Sequence, residues 1–269
     1  MASAAEKRAR FRALHESGCF VMPNPWDVGS ARILERLGFP ALATTSAGFA
    51  WTLGQRDNHV SVEDVLAHLR TMSAAINVPL NADFEHGFAD DPDGVAANVL
   101  AAAQTGIAGL SIEDSTKRAD EPLFAFHLAV ERIRAARRAI DESETGVVLT
   151  ARSEGYLAGR PDLQETIRRL TAYAAAGADC LYAPGLRDAS DIRAVVNAIA
   201  PKPVNVLAFA DFTTVAELAS MGVRRISVGG ALARAAWSGV FAAAREIAEQ
   251  GTFTNLAKAV PSSDLNGSF

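Results

Sequence analysis

Asn81-Ala82-Asp83-Phe84-Glu85-His86-Gly87-Phe88 closes the apolar run Val78-Pro79-Leu80 and sets two carboxylates two residues apart. At strand spacing Asp83 and Glu85 share a face. Asp57 and Glu113 stand where neighbouring strand-to-helix connections are expected. Carboxylates brought within about 4 Å of one another repel by roughly 4 kcal/mol per pair at an effective dielectric near 20. Such a group needs a cation or a shared proton. Oxygen donors without accompanying cysteine favour Mg²⁺, with Mn²⁺ as the alternative, held by one or two carboxylates and several waters. Loop acids also cap helices, so recurrence at equivalent points of a repeating architecture is what gives the cluster chemical meaning.

The repeat is present. Short apolar runs alternate with longer helical patterns, and eight strands are predicted: 19–22, 41–44, 78–82, 109–112, 147–151, 180–183, 204–207 and 225–228. Asp27, Ser61, Asp162, Asp188 and Thr213 read as helix N-caps. Gly38, Gly106, Gly177 and Gly222 each join a helix to the next strand and suit a left-handed C-terminal cap. Eight βα units in about 250 residues predict an α/β fold, a TIM (β/α)8 barrel, with its site at the C-terminal ends of the strands. A doubly wound sheet is the alternative, but no Gly-x-Gly-x-x-Gly follows the first strand, and Gly229-Gly230 reads as a tight turn. The predicted domain spans 1–251, N-terminal helix included, followed by a polar tail at 252–269 with a frayed end.

Composition narrows the function classes. The chain has 269 residues, net charge −5, and 49% hydrophobic and 21% charged residues. No basic cluster is interleaved with aromatics, which argues against nucleic acid as a partner. The first sixteen residues lack an apolar leader core and no run of eighteen apolar residues follows, so neither secretion nor a membrane partner is expected. Cys19 and Cys180 offer neither metal spacing nor a disulfide framework, which fits a cytoplasmic location.

The strand ends collect Asn24 and Asp27, Ser46, Asp83 and Glu85, Glu113, Arg152 and Glu154, Pro184, and Asn205. Arg152 ends an apolar strand and suits a bidentate substrate carboxylate, with a structural ion pair to Glu154 or Glu113 as the plainer reading. Ser46-Ala47-Gly48 offers a hydroxyl and successive amides to a second carboxylate, or else a helix cap. Asn205 is a candidate substrate contact, or a partner of nearby backbone.

Thr44-Thr45-Ser46-Ala47-Gly48, Leu53-Gly54-Gln55-Arg56-Asp57, the stretch Asn81 to Gly87, Ser111-Ile112-Glu113-Asp114 and Thr150-Ala151-Arg152 together resemble the isocitrate lyase / phosphoenolpyruvate mutase superfamily in order and approximate spacing. The resemblance runs from Arg10 to Glu249. It implies that Asp83 binds Mg²⁺ directly while Asp57, Glu85 and Glu113 hold its waters. It further implies that Ser46, Ala47 and Gly48 grip a carboxylate and that Arg152 meets the substrate oxygens, with Arg152, Glu113 and Asp57 as the catalytic set. The shared chemistry is a metal-bound enolate of a pyruvate-like acid. Family members are commonly dimers or tetramers that exchange the last helix, which gives 230–249 a role as a homo-oligomer contact; a helix buried on its own barrel is the alternative.

The loop after Glu113 departs from the family. Ser115-Thr116-Lys117-Arg118-Ala119-Asp120-Glu121-Pro122 replaces the Lys-Arg-Cys-Gly-His of the carbon-carbon lyases. The Lys, Asn and His of the mutase pattern read Ala119, Glu121 and approximately Pro184. The sequence therefore predicts a Mg²⁺-dependent lyase of a small 2-oxo or 2-hydroxy acid, with Tyr156, Tyr182, His86 or water as proton donor. An oxaloacetate-type decarboxylase or a non-catalytic 2-oxo acid binder are the alternatives, and phosphonopyruvate chemistry loses support.

Overall fold

Eight short strands form one parallel sheet rolled into a ring, as the computed structural model describes for residues 1–269. They are β1 (Phe20–Met22), β2 (Leu42–Ala43), β3 (Leu80–Asp83), β4 (Gly109–Glu113), β5 (Val148–Arg152), β6 (Cys180–Tyr182), β7 (Val204–Leu207) and β8 (Arg225–Ser227). The ladder runs β1-β8-β7-β6-β5-β4-β3-β2, which leaves a seam between β1 and β2. One backbone bond, Ala43 N–H to Pro23 O at 3.1 Å, crosses that seam. Asn24 reinforces it, since its Nδ2 donates to Thr44 O while its Oδ1 accepts from the amides of Val228 and Gly229, each at 2.9 Å. The architecture is the predicted (β/α)8 barrel.

The helices outside the ring are α1 (Ala4–Leu14), α2 (Val28–Arg36), α3 (Ser46–Thr52), α4 (Val62–Ala75), α5 (Pro92–Ala103), α6 (Phe126–Glu142), α7 (Leu163–Ala175), α8 (Ala189–Ile199), α9 (Val215–Ser220), α10 (Ala231–Gln250) and α11 (Ser262–Asn266). Asp27, Ser61, Asp162 and Asp188 cap helices as predicted, each accepting from an amide two or three residues on. At α9 the cap is Thr214 and not Thr213. Thr214 completes a reciprocal pair with Glu217, which Thr213 lacks. Gly38, Gly106, Gly177 and Gly222 have φ of 88°, 90°, 106° and 86°, the left-handed values their position requires. The tail after Gly251 carries a 3₁₀ turn at Leu256–Lys258 and then α11. Glu246 of α10 organises its start by accepting from Thr252, Thr254 and Asn255.

Apolar residues between the sheet and the outer helices make the main core, from Leu42 and Leu80 through Ile112, Leu149 and Leu181 to Ile226. A smaller cluster of Phe11, Phe20, Met22, Ala43, Ala108 and Val148 closes the N-terminal end of the ring. Phe11 of α1 seats there because Gly109 has no side chain: a Cβ at 109 would stand 2.5 Å from the Phe11 ring and 2.7 Å from Asn81 Oδ1. Lys7 donates to the carbonyls of Ser73 and Ile76, and Arg8 to those of Ala103 and Ile107, so α1 also caps chain ends that would otherwise lack donors. No helix is long and apolar enough to cross a membrane.

Candidate active site

The predicted carboxylates gather at the C-terminal end of the ring, though not through simple strand alternation. β3 ends at Asp83, and Glu85 then adopts φ 46°, a left-handed conformation, while its carbonyl accepts from Glu113 N–H at 2.9 Å. Gly87 at φ 79° and Phe88 at φ 56° complete the turn. Backbone held in this sparsely populated region needs support from its surroundings. Arg132 of α6 supplies it: its buried guanidinium donates to the carbonyls of His86, Ala89 and Asp90 and lies 3.8 Å from the Phe124 ring centroid. Nothing in the sequence around Arg132 marks it for that task.

Arg152 stands at the centre of the cluster. Its Nη1 is 2.7 Å from Asp83 Oδ1, and its Nη2 is 3.0 Å from Glu113 Oε2 and 2.9 Å from Glu154 Oε1. The plainer sequence reading of Arg152, an ion pair to Glu154 and Glu113, is the geometry observed, and Asp83 joins it. A second cation, Lys117, comes from the loop after Glu113 and pairs with Glu113 Oε1. Lys117 has φ 62°, and the loop is held by a bridge between Ser115 and Leu123 and by Arg118 on Asp90 at 2.8 Å. The sequence reading gives Lys117 no role: Lys117-Arg118 matches only the first two residues of the lyase loop, and a Glu-Lys spacing of four outside a helix carries no geometric meaning.

Two cations therefore face the carboxyl groups of Asp57, Asp83, Glu85, Glu113 and Glu154. Burial, opposed by Lys117 and reinforced by Asp83, Glu113 and Asp57, pushes the Glu85 carboxyl up to about 8. Burial and then Asp83 also raise Asp57. Glu154 is pushed up to about 8 by burial in spite of Arg152. The Lys117 ammonium is held above its usual range because Glu113 and Glu85 outweigh its burial. An excess of negative charge built from oxygen donors alone fits a hard divalent cation. No three Asp, Glu or His side chains converge closely enough to form a complete cage, so an ion here would keep several waters.

Asp83, Asp57, Ser46, Ala47, Arg152 and Asn205 line one cavity of about 220 Å³. Ser46 N–H donates to Asp83 Oδ2 at 3.0 Å, and Gly48 N–H to the capping Thr45 Oγ1 at 3.3 Å. Two of the three residues predicted to grip a carboxylate thus have internal partners. A Cβ on Gly48 would come within 2.6 Å of Thr45 and 2.8 Å of Trp26, so only glycine lets α3 begin there. Asn205 bonds side chains and not backbone: its Nδ2 donates to Ser227 Oγ at 3.0 Å and its Oδ1 accepts from Arg225 Nε at 2.9 Å. Of the proposed proton donors, Tyr182 lines the cavity with its hydroxyl pushed up to about 12 by burial. Tyr156 instead lies near Asp191, 3.5 Å away. His86 borders the cluster with Nδ1 unpartnered, and burial followed by Lys117 lowers its pKa. Asp114, beside Glu113, is structural: it accepts from Glu154 N–H at 2.7 Å, Tyr173 Oη at 2.6 Å and Arg169 Nη1 at 3.0 Å.

Comparison with known proteins agrees with the barrel architecture. The family profile described as phosphoenolpyruvate phosphomutase matches residues 11–248. A Burkholderia cenocepacia protein provisionally assigned as a lyase/mutase superposes with a TM-score of 0.94 at 49% identity, over 98% of this chain and 95% of that one. An uncharacterised Mycobacterium tuberculosis protein is 34% identical over 95% of this chain and 94% of its own length. An oxaloacetate decarboxylase of Bradyrhizobium diazoefficiens is 30% identical over 71% of this chain and 68% of its own.

Proposed function

Because the chain belongs to the isocitrate lyase / phosphoenolpyruvate mutase superfamily, we propose that it is a Mg²⁺-dependent carbon-carbon lyase of a small 2-oxo or 2-hydroxy carboxylic acid. The observation that carries this reading is the cluster of five carboxyl groups around Arg152 and Lys117 at the C-terminal end of the ring, of which Asp57 and Asp83 line the cavity together with Arg152. Asp83 would hold the ion, with Asp57, Glu85 and Glu113 holding its waters. When bound, a divalent cation supplies a Lewis acid for the negative charge that develops on the substrate oxygen.

The protein's own groups do the rest. Arg152 is fixed by three carboxylates, so it presents its charge to the cavity without reorganising. Ser46 and Ala47 bound the mouth and orient the acid, and Asn205 bounds it deeper in the ring. Two proton-bearing groups stand at the site: Tyr182 lines the cavity, and Lys117 pairs with Glu113 of the cluster. In a hydroxy acid, a carboxylate of the cluster takes the hydroxyl proton as the carbon-carbon bond breaks and the carbonyl fragment leaves, and one of these two groups protonates the enolate that remains; in an oxaloacetate-type acid CO₂ leaves and only the protonation is needed. In the whole protein, α10 packs on a neighbouring subunit of a homo-oligomer, a dimer or tetramer.

Similarity to an oxaloacetate decarboxylase favours a second reading, in which the fragment lost is CO₂. The test is a Mg²⁺-dependent assay on oxaloacetate, isocitrate, methylisocitrate, dimethylmalate and phosphonopyruvate, following pyruvate, glyoxylate, phosphate and CO₂ together. Cleavage of a hydroxy acid is expected for the first reading, and CO₂ with pyruvate from oxaloacetate for the second. Asp83→Ala removes the residue that would hold the ion, and with it one stabiliser of the developing oxyanion, and should lower kcat by about 10² to 10³, with the circular dichroism unchanged. Ligand binding without turnover of any acid would make the protein a binder and overturn both readings.

A further inference from the structure

The interior of this ring is polar where barrels of its kind are filled by branched aliphatic side chains. Arg152, Tyr182, Asn205 and Arg225 stand in register on β5, β6, β7 and β8, and all four line the same cavity. The two arginines differ sharply in company. Arg152 has three carboxylates, whereas the hydrogen bonds of Arg225 go to two neutral acceptors.

Those acceptors are Asn205 Oδ1 at 2.9 Å and His15 Nε2 at 3.4 Å. His15 Nδ1 lies 2.7 Å from Phe11 O and donates to it, which leaves Nε2 with the lone pair that faces Arg225. Burial and Arg225 hold His15 down to about 3, so it stays a neutral acceptor. Arg225 is 1% exposed, and a buried guanidinium with no anion is costly. Its fork has five N–H donors, of which two are used here. A second unmatched group lines the same cavity: Asn81 Oδ1 is buried without a partner.

We propose that Arg225 is the receptor for the remote carboxylate of a dicarboxylic substrate, whose reacting 2-oxo or 2-hydroxy end lies at the Asp83 mouth of the cavity. A planar fork matches a carboxylate in two-point contact, and the cavity runs continuously from Arg225 to Asp57 and Ser46, so one molecule can span it. The inference deepens the lyase reading and rests on it for the reacting end.

The test compares succinate with butyrate, which has the same number of carbons and one carboxylate fewer. Isothermal titration of the wild-type protein in Mg²⁺ should give at least a tenfold preference for succinate, roughly what a charge-assisted hydrogen bond is worth. In Arg225→Met the preference should vanish while Mn²⁺ affinity and circular dichroism stay unchanged, and Arg225→Lys should retain part of it. Asn205→Asp sets a carboxylate beside Arg225 and should abolish the preference by a second route, which keeps the test valid if Arg225→Met fails to fold. Equal binding of the two acids by the wild type, or a preference that survives both Arg225→Met and Asn205→Asp, overturns the proposal. So does stabilisation by chloride or sulfate that depends on Arg225 when succinate gains nothing over butyrate, since the position would then hold an inorganic ion. An Arg225-dependent succinate preference without turnover of any acid would refute the lyase and leave the receptor standing.

Discussion

Lys117 reaches Glu113 from a left-handed residue in a loop that has neither the cysteine of the lyase pattern nor the Asn of the mutase pattern. Its side chain is 25% exposed, and two glutamates stabilise its ammonium. Of the two proton donors proposed, Lys117 is tested directly: if it protonates the enolate, Lys117→Gln should lower kcat by about 10² with KM changed less than threefold in steady-state kinetics. An equal loss in kcat and gain in KM would instead mark Lys117 as a holder of Glu113. At this scale the carboxylates were legible because their types recur at strand ends. The cations were less so. Arg152 was visible as an arginine closing an apolar strand, but its choice of Asp83 depends on the roll of the sheet, and Lys117 depends on a turn that no local pattern announces.

The helix-to-strand joints were the most legible elements. Gly38, Gly106, Gly177 and Gly222 each sit where a helix must stop and the chain must reverse towards the ring, and each takes a positive φ. At Gly177 a Cβ would also meet the stem of Arg137 at 2.5 Å. That stem carries the guanidinium that pairs with Asp179 at 3.1 Å, whose Oδ2 also accepts from the Leu149 amide of β5 at 2.8 Å. Gly177→Ala should therefore destabilise the fold by about 1 to 2 kcal/mol, read as a lower urea midpoint at unchanged slope. All eight strands lie within about two residues of their predicted ends, because apolar runs bounded by caps and glycines report burial directly. The turn at Glu85 to Phe88 was not legible. Its conformation is imposed by Arg132, 46 residues away from the carbonyl of His86, and the tail helix at 262–266 lacks the apolar periodicity that would have predicted it.

The whole molecule leaves one apolar surface uncovered. Along α10, Trp237, Val240, Phe241 and Ile247 are 36%, 54%, 57% and 40% exposed, and only Ala233 and Glu246 are buried. Trp237 and Phe241 form a groove with Trp51 of α3, which begins at the Ser46 wall of the cavity. The proposed subunit contact would cover this face, since large exposed apolar patches commonly serve association. A Trp237→Glu, Phe241→Glu double variant should shift the mass measured by light scattering from oligomer towards monomer, and kcat should fall with it because α3 loses its cover. A monomeric wild-type protein would refute that arrangement. The seam between β1 and β2 carries a different consequence, which concerns the order in which the protein is made. β1 is laddered to β8 alone, and Arg224 meets the carbonyl of Gly18 across 206 residues. The first strand to leave the ribosome thus waits for the last before it has a paired neighbour. Closing so long a loop is slow though not much costlier than closing a shorter one. The nascent chain must therefore carry β1 without a paired strand through most of its synthesis, and this interval, more than the finished barrel, is when the protein is open to aggregation.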